Sequence, residues 1–215
     1  GRSAASRRRR CGICAFGTGC PNWPWPWKPE GDPMDIRFHS TTVIGMVRNS
    51  RAAMASDGQV TLGDTVVKMN ARKIRPLCGG TVLVGLSGAG ADAFALVERL
   101  EEKLDGFRGN LPRAAVDLAR EWRTDRYLRE LQAMLAAVDR THALLIGGSG
   151  EVVESPDGIV AVGSGYPYAL AAARALDRHT RMGPGRIVRE AIAIAGDICI
   201  YTGGSIQSEE ICPQA

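Results

Sequence analysis

No apolar stretch in this chain approaches the roughly 20 residues that a bilayer-spanning helix needs, so no segment reads as a membrane span. Histidines are scarce and scattered: His39, His142 and His179 stand alone, and there is no His-Glu-x-x-His run for a zinc-peptidase helix. The chain has no Gly-x4-Gly-Lys-Ser/Thr, which excludes nucleotide binding through a P-loop. Gly85-x-x-Gly88-x-Gly90 lacks the dinucleotide-binding spacing, and no serine sits in a full Gly-x-Ser-x-Gly elbow. P-loop, dinucleotide-binding, serine-elbow and His-Glu-x-x-His zinc chemistries therefore fare poorly as readings of this sequence.

Aromatic residues make up only 6% of the chain, and they are unevenly placed. Residues 1–40 hold Trp23, Trp25 and Trp27, three of the six cysteines and five of the eleven prolines. Seven of the 27 Lys/Arg and three of the 23 Asp/Glu also lie there, so residues 41–215 carry 20 of each sign. The positive charge is a property of the head, and the neutral remainder asks for no nucleic acid or anionic membrane. Arg7–Arg10, Cys11-x2-Cys14-x5-Cys20 and Pro24-Trp25-Pro26-Trp27 show no apolar periodicity, so the head reads as non-globular. Three cysteines are one ligand short of a structural zinc site, and Cys11–Gly19 is too short and glycine-rich for a secretory signal. The expected start of translation is Met34, with residues 1–33 an over-extended start and 34–40 a propeptide.

Residues 41–215 suit one domain with a substantial core. Cys78, Cys199 and Cys212 are scattered without a pairing pattern, which fits a reducing cytosol. Short apolar runs at Thr42–Val47, Ala52–Ser56, Ile74–Leu77 and Thr81–Leu86 read as strands. A helix follows from about Gly88 to Gly106, with Phe94, Val97, Leu100 and Leu104 on its apolar face. Asn110 is the expected N-cap of a second helix that runs to about Ala137 through Ala115, Leu118, Trp122, Leu128, Leu131 and Leu135. Strands are expected again at Ala143–Ile146, Val152–Glu154 and Ile159–Val162, helices at Pro167–Asp177 and Gly185–Ala195, and a last strand at Ile198–Tyr201. Strands, then helices, then strands, then helices argues against alternating βαβ units. It favours an α+β fold of two packed antiparallel sheets flanked by helices.

The sharpest local feature is Thr41-Thr42, placed where the composition changes. A threonine hydroxyl is a poor nucleophile without an adjacent base, and a threonine at a chain's N-terminus supplies that base with its own α-amine. Thr41-Thr42-Val43, Ser56-Asp57-Gly58-Gln59-Val-Thr-Leu-Gly63, Lys68, Lys73-Ile-Arg75, Ala91-Asp92-Ala93-Phe94, Trp122–Arg126, Gly163-Ser164-Gly165 and Ala195–Thr202 together resemble the HslV family. These are peptidase subunits of a bacterial ATP-dependent protease and simple relatives of proteasome β subunits. The resemblance covers essentially all of residues 41–215.

It implies an Ntn-hydrolase αββα sandwich, assembled as a homododecamer of two stacked hexameric rings, in the bacterial cytoplasm. It makes Thr41 the nucleophile after self-processing, Lys73 the cation beside the amine and Asp57 the acid that fixes the lysine. Ser164 is matched to a serine that holds the amine, and the Gly85 N–H to the oxyanion donor. A sodium ion on the backbone carbonyls of Gly196, Cys199 and Thr202 is implied as well. The implied partner is the HslU (ClpY) AAA+ unfoldase ring, which supplies the ATP chemistry and delivers unfolded protein substrates. Ser56 and Gly203-Gly204-Ser205 depart from the family pattern. A head that stays attached would leave Thr41 without a free amine. The alternative reading is then a non-catalytic ring subunit or binding module that recruits a partner through its basic, cysteine-bearing head.

Overall fold

The computed structural model describes residues 38–88, 90–125, 133–147 and 150–212, all within one compact unit, Asp35–Ala215. What was expected of the head up to residue 37, and of Leu128 and Leu131, lies outside the described residues.

Strand β1 (Phe38–Ser40) pairs antiparallel with β4 (Val60–Leu62), which pairs in turn with β5 (Thr65–Lys68) in a small three-stranded sheet. Strands β2 (Thr42–Arg48) and β3 (Arg51–Asp57) form a tight hairpin. Its two turn residues, Asn49 and Ser50, have φ of 52° and 57°, the left-handed values that match the twist of a two-residue hairpin. With β11 (Ile159–Gly163) and β12 (Ile206–Ile211) they make a four-stranded sheet in the order β11-β2-β3-β12. A five-stranded sheet runs β10 (Val152–Glu154), β9 (Ala143–Gly147), β8 (Ala133–Val138), β7 (Val82–Gly88), β6 (Ile74–Leu77). Pro76 is tolerated because β6 is an edge strand.

Three apolar clusters separate four layers. Helices α1 (Gly90–Gly106) and α2 (Leu111–Thr124) bury Leu96, Leu100, Leu118 and Trp122 on one face of the five-stranded sheet. Helices α3 (Tyr166–His179) and α4 (Pro184–Ile198) bury Ala169, Ala173, Ile187 and Ile192 on the outer face of the four-stranded sheet. Between the sheets lie Val43, Met54, Ile74, Leu83, Ala136, Val138, Val160 and Val162. This is the expected αββα sandwich.

Most expected elements are found within a residue or two. Asn110 caps α2 as expected, its side chain accepting the Arg113 N–H at 3.1 Å. Two expectations are overturned. The second helix does not reach Ala137: it ends at Thr124, where Asp125 N–H closes on the Glu121 carbonyl at 2.8 Å, and Ala133–Val138 is the central strand of its sheet. Ala-Met-Leu-Ala-Ala-Val favours a helix locally. Burial on both faces, with Leu135 toward the helices and Ala136 toward the other sheet, overrides that preference. Nor is Ile198–Tyr201 a strand. Helix α4 runs through Ile198, Cys199 N–H bonds back to the Ala195 carbonyl at 2.8 Å, and the last strand is the less apolar Ile206–Ile211. Strands β4 and β5 were not anticipated; β5 is exposed throughout and offers no burial pattern.

Candidate active site

Thr41 immediately precedes β2 and is 3% exposed, with φ of 102°. For a β-branched residue this conformation costs on the order of 1–3 kcal/mol, so its surroundings must hold it. The Thr41 carbonyl accepts the Ser164 N–H at 2.9 Å. Gly163, with φ of 99°, lies flush against that carbonyl oxygen, and any Cβ there would collide with it. The Gly163-Ser164-Gly165 turn thus clamps the start of β2: Gly165 N–H also donates to Thr42 Oγ1 at 2.9 Å.

Asp57, at the end of β3, is fully buried, and both its oxygens are occupied. Oδ1 accepts from Thr42 N–H at 2.7 Å and from Lys73 Nζ at 2.9 Å. Oδ2 accepts from Gln59 N–H at 2.8 Å and Gly203 N–H at 3.1 Å. Four donors on one carboxylate satisfy it without solvent, as burial of a charge requires. Lys73 is 5% exposed, and its Nζ also donates to the Gln59 carbonyl at 2.5 Å. Burial lowers the Lys73 pKa below that of an ordinary lysine; the charge of Asp57 and the hydrogen bond to it pull the other way without cancelling the shift.

Thr41 and Lys73 open on one cleft of about 1030 Å³, lined also by Lys68, Arg75, Leu86, Gly88 and Phe94. Phe94, expected to be buried on α1, instead lines this cleft and lies 4.9 Å beneath the Arg75 guanidinium.

Of the residues singled out in the sequence, Thr41, Asp57, Lys73 and Ser164 are brought together, Ser164 through its backbone N–H. Gly85 is not a cleft residue. Its Cα faces the opposite sheet, where a Cβ would strike Val43 Cγ1 and sit 3.0 Å from Met54 Sδ. Leu86 N–H donates to the Lys73 carbonyl at 3.1 Å, so by strand alternation the Gly85 N–H turns toward β8, where Gly85 pairs with Ala136. Gly88 lines the cleft with φ of 127°; continued alternation along β7 would turn its N–H to the β6 side, beyond the start of β6 at Ile74. Gly88 and Gln59 are not among the residues that the sequence singles out; the one signal for them is their place beside Ala89-Gly90 and Asp57-Gly58.

At the end of α4 the chain turns over Cys199–Thr202, with Thr202 N–H bonded to the Cys199 carbonyl at 2.9 Å. Gly196 has no side chain to separate the helix from this turn, and its Cβ position lies 3.5 Å from the Thr202 carbonyl oxygen. Neutral, hard oxygens at a helix C-terminus suit a monovalent cation, so the residues fit the sodium site that the resemblance implies.

Comparison with known proteins is consistent with this architecture. A family model of proteasome subunits matches residues 38–211. The ATP-dependent protease subunit HslV of Chlorobium luteolum is 58% identical over 174 residues, covering 81% of this chain and 96% of that protein. The chain belongs to the HslV family. It is a proteolytic subunit of an ATP-dependent protease. The HslV of Chlorobium phaeobacteroides is 56% identical over the same length. HslV from Trypanosoma brucei superposes with a TM-score of 0.74 at 41% identity, covering 79% of this chain and 98% of that one. Thiobacillus denitrificans BPH, at 21% identity and a TM-score of 0.60, shares the Ntn-type fold.

Proposed function

We propose that this HslV-family chain is a threonine endopeptidase whose nucleophile is Thr41, exposed by self-cleavage of the Ser40–Thr41 bond. The observation that carries the proposal is the buried Lys73–Asp57 pair, anchored to the Thr42 N–H directly behind Thr41. The freed α-amine, with a reference pKa of about 7.7–8.0, takes the Thr41 hydroxyl proton as the oxygen attacks a substrate carbonyl. Lys73 favours the neutral amine, since a neighbouring cation disfavours a second positive charge. The developing oxyanion is met by a backbone N–H at the end of β7, assigned here to Gly88 in place of Gly85. The amine then returns its proton to the leaving nitrogen, and water hydrolyses the ester on Thr41. Self-cleavage also removes the constraint that holds Thr41 at positive φ, because a chain-terminal residue has no φ torsion.

A sodium ion would be held by the carbonyls of Gly196, Cys199 and Thr202, where its charge would help to fix the turn. The partner is the HslU (ClpY) AAA+ ring, since the chain has no P-loop of its own. The assembly is a homododecamer of stacked hexamers acting on unfolded proteins. The location is the bacterial cytoplasm, in keeping with free Cys78, Cys199 and Cys212. The test is the intact mass and N-terminal residue of the expressed full-length chain, with Thr41→Ala beside it. The wild type should begin at Thr41 and hydrolyse peptides, and Thr41→Ala should retain its head and be inert. Full peptidase activity in Thr41→Ala would sink the nucleophile assignment.

A further inference from the structure

Gln59 belongs to none of the roles assigned above, yet it makes four hydrogen bonds in and around the site, as many as the Asp57 carboxylate. It is 6% exposed. Its N–H donates to Asp57 Oδ2 at 2.8 Å and its carbonyl accepts Lys73 Nζ at 2.5 Å. Both side-chain N–H groups are used as well: Nε2 donates to Thr61 Oγ1 at 3.0 Å and to the Ile200 carbonyl at 2.9 Å. Ile200 lies in the turn that closes α4, and the same turn reaches the site at two further points. Gly203 N–H donates to Asp57 Oδ2 at 3.1 Å, and Thr202 Oγ1 lies 2.7 Å from Thr42 Oγ1. Gly203, one of the departures from the family pattern, lets the turn close on Gln59: a Cβ there would lie 2.8 Å from the Gln59 Cβ.

We propose that Gln59 is a positioning residue that ties the Asp57–Lys73 pair to the turn at Cys199–Gly203. The physical reason is the geometry of a carboxamide. Its two N–H groups point about 120° apart, so one side chain spans two acceptors, on β4 and on the turn, while its own backbone grips both members of the ion pair. Displacement of the turn therefore moves the Gln59 backbone, and with it the Lys73 ammonium relative to Thr41. A misplacement of this kind, of about 1 Å, is enough to cost on the order of a hundredfold in rate. The role rests on the reading of Thr41 as nucleophile, but the tie itself can be measured without catalysis.

Two variants separate the cases. Gln59→Met keeps the volume and removes both side-chain hydrogen bonds. Gln59→Glu is nearly isosteric, keeps a bond with the Thr61 hydroxyl and sets an oxygen against the Ile200 carbonyl. Both are made in the full chain and assayed as the assembled peptidase for kcat and KM, with amide hydrogen exchange as the second readout. The expected result is a fall in kcat of about ten- to a hundredfold with KM within about threefold. Amides of Thr202 and Gly203 should exchange at least about tenfold faster, while those of Leu83 and Ala136 in the core keep their protection. The acid limb of the kcat–pH profile should move to higher pH in Gln59→Glu, because added negative charge favours the protonated amine. Faster exchange in the turn with unchanged kcat would reduce Gln59 to a structural role and overturn the proposal. So would unchanged exchange in Thr202 and Gly203. A wild type without peptidase activity would instead refute the Thr41 reading, leaving the exchange data to judge the tie.

Discussion

Replacing Asp57 by Asn swaps one oxygen for an NH2 group and adds no volume, so its effect isolates the hydrogen-bond arithmetic of the site. The carboxylate accepts four bonds, two on each oxygen. Asparagine retains one acceptor oxygen, which will face Lys73 Nζ and Thr42 N–H because an ammonium opposite an amide NH2 is the worse alternative. The amide nitrogen then confronts the N–H groups of Gln59 and Gly203, whose nitrogens sit 2.8 and 3.1 Å from Asp57 Oδ2 in a buried site. Each buried donor left unsatisfied costs about 1–3 kcal/mol, so the loss should be about 2–6 kcal/mol. Against a typical domain stability of about 5–15 kcal/mol this is a large fraction. Urea unfolding of wild type and Asp57→Asn at equal protomer concentration measures it, and peptide hydrolysis should fall by at least about a hundredfold in parallel. A difference below about 0.5 kcal/mol, or retained activity, would refute the claim that these four bonds organise the site.

Gly85→Ala should destabilise the fold by about 1–3 kcal/mol through overpacking against Val43 and Met54. Addition of Val43→Ala should recover part of that loss; an unchanged midpoint in Gly85→Ala would show that the sheets are not in contact there. Thr41→Ser should keep both hydroxyl and amine and therefore measurable peptidase activity, at a rate reduced by about tenfold; a completely inactive Ser variant with a free N-terminus would count against the mechanism. Burial lowers the Lys73 pKa, so the unfolded chain holds that proton more tightly, and from the lowered folded value up to 10.5 stability gains from rising pH. Unfolding midpoints measured as pH rises toward 10.5 should therefore rise less in Lys73→Met than in wild type, and parallel curves would contradict the buried lysine.

The sequence reading fared well where burial on one face leaves a periodic trace. Strands β2, β3, β6 and β10 and helices α1, α3 and α4 lie within a few residues of their expected bounds. It failed where tertiary packing reverses a local preference. Ala133–Val138 is rich in helix formers and continued the apolar period of α2, but the space between β7 and β9 makes it a strand. Ile198–Tyr201 contains two isoleucines and resembles a strand, but Ile198 and Ile200 are 56% and 78% exposed and no sheet edge among the described residues receives them.

Of the candidate site, the residues and their order were legible because Thr41-Thr42, Ser56-Asp57-Gly58-Gln59 and Lys73-Ile-Arg75 stand in one short stretch whose motifs resemble the HslV family. The motifs between Thr41 and Lys73 are enough to name the groups proposed for the chemistry. How they are held depends on contacts between segments far apart in the chain. Lys73 reaches Asp57 because β6 and β3 lie in two different sheets that pack face to face, and the turn after α4 arrives from residues 199–203 to complete the carboxylate's shell. The same packing placed the bare Cα of Gly85 against Val43 and left Gly88 to face the cleft. Alternation along a strand is encoded locally, but which side of the strand meets a partner depends on where its neighbour ends. That is a property of the assembled sheet and of no single segment of chain.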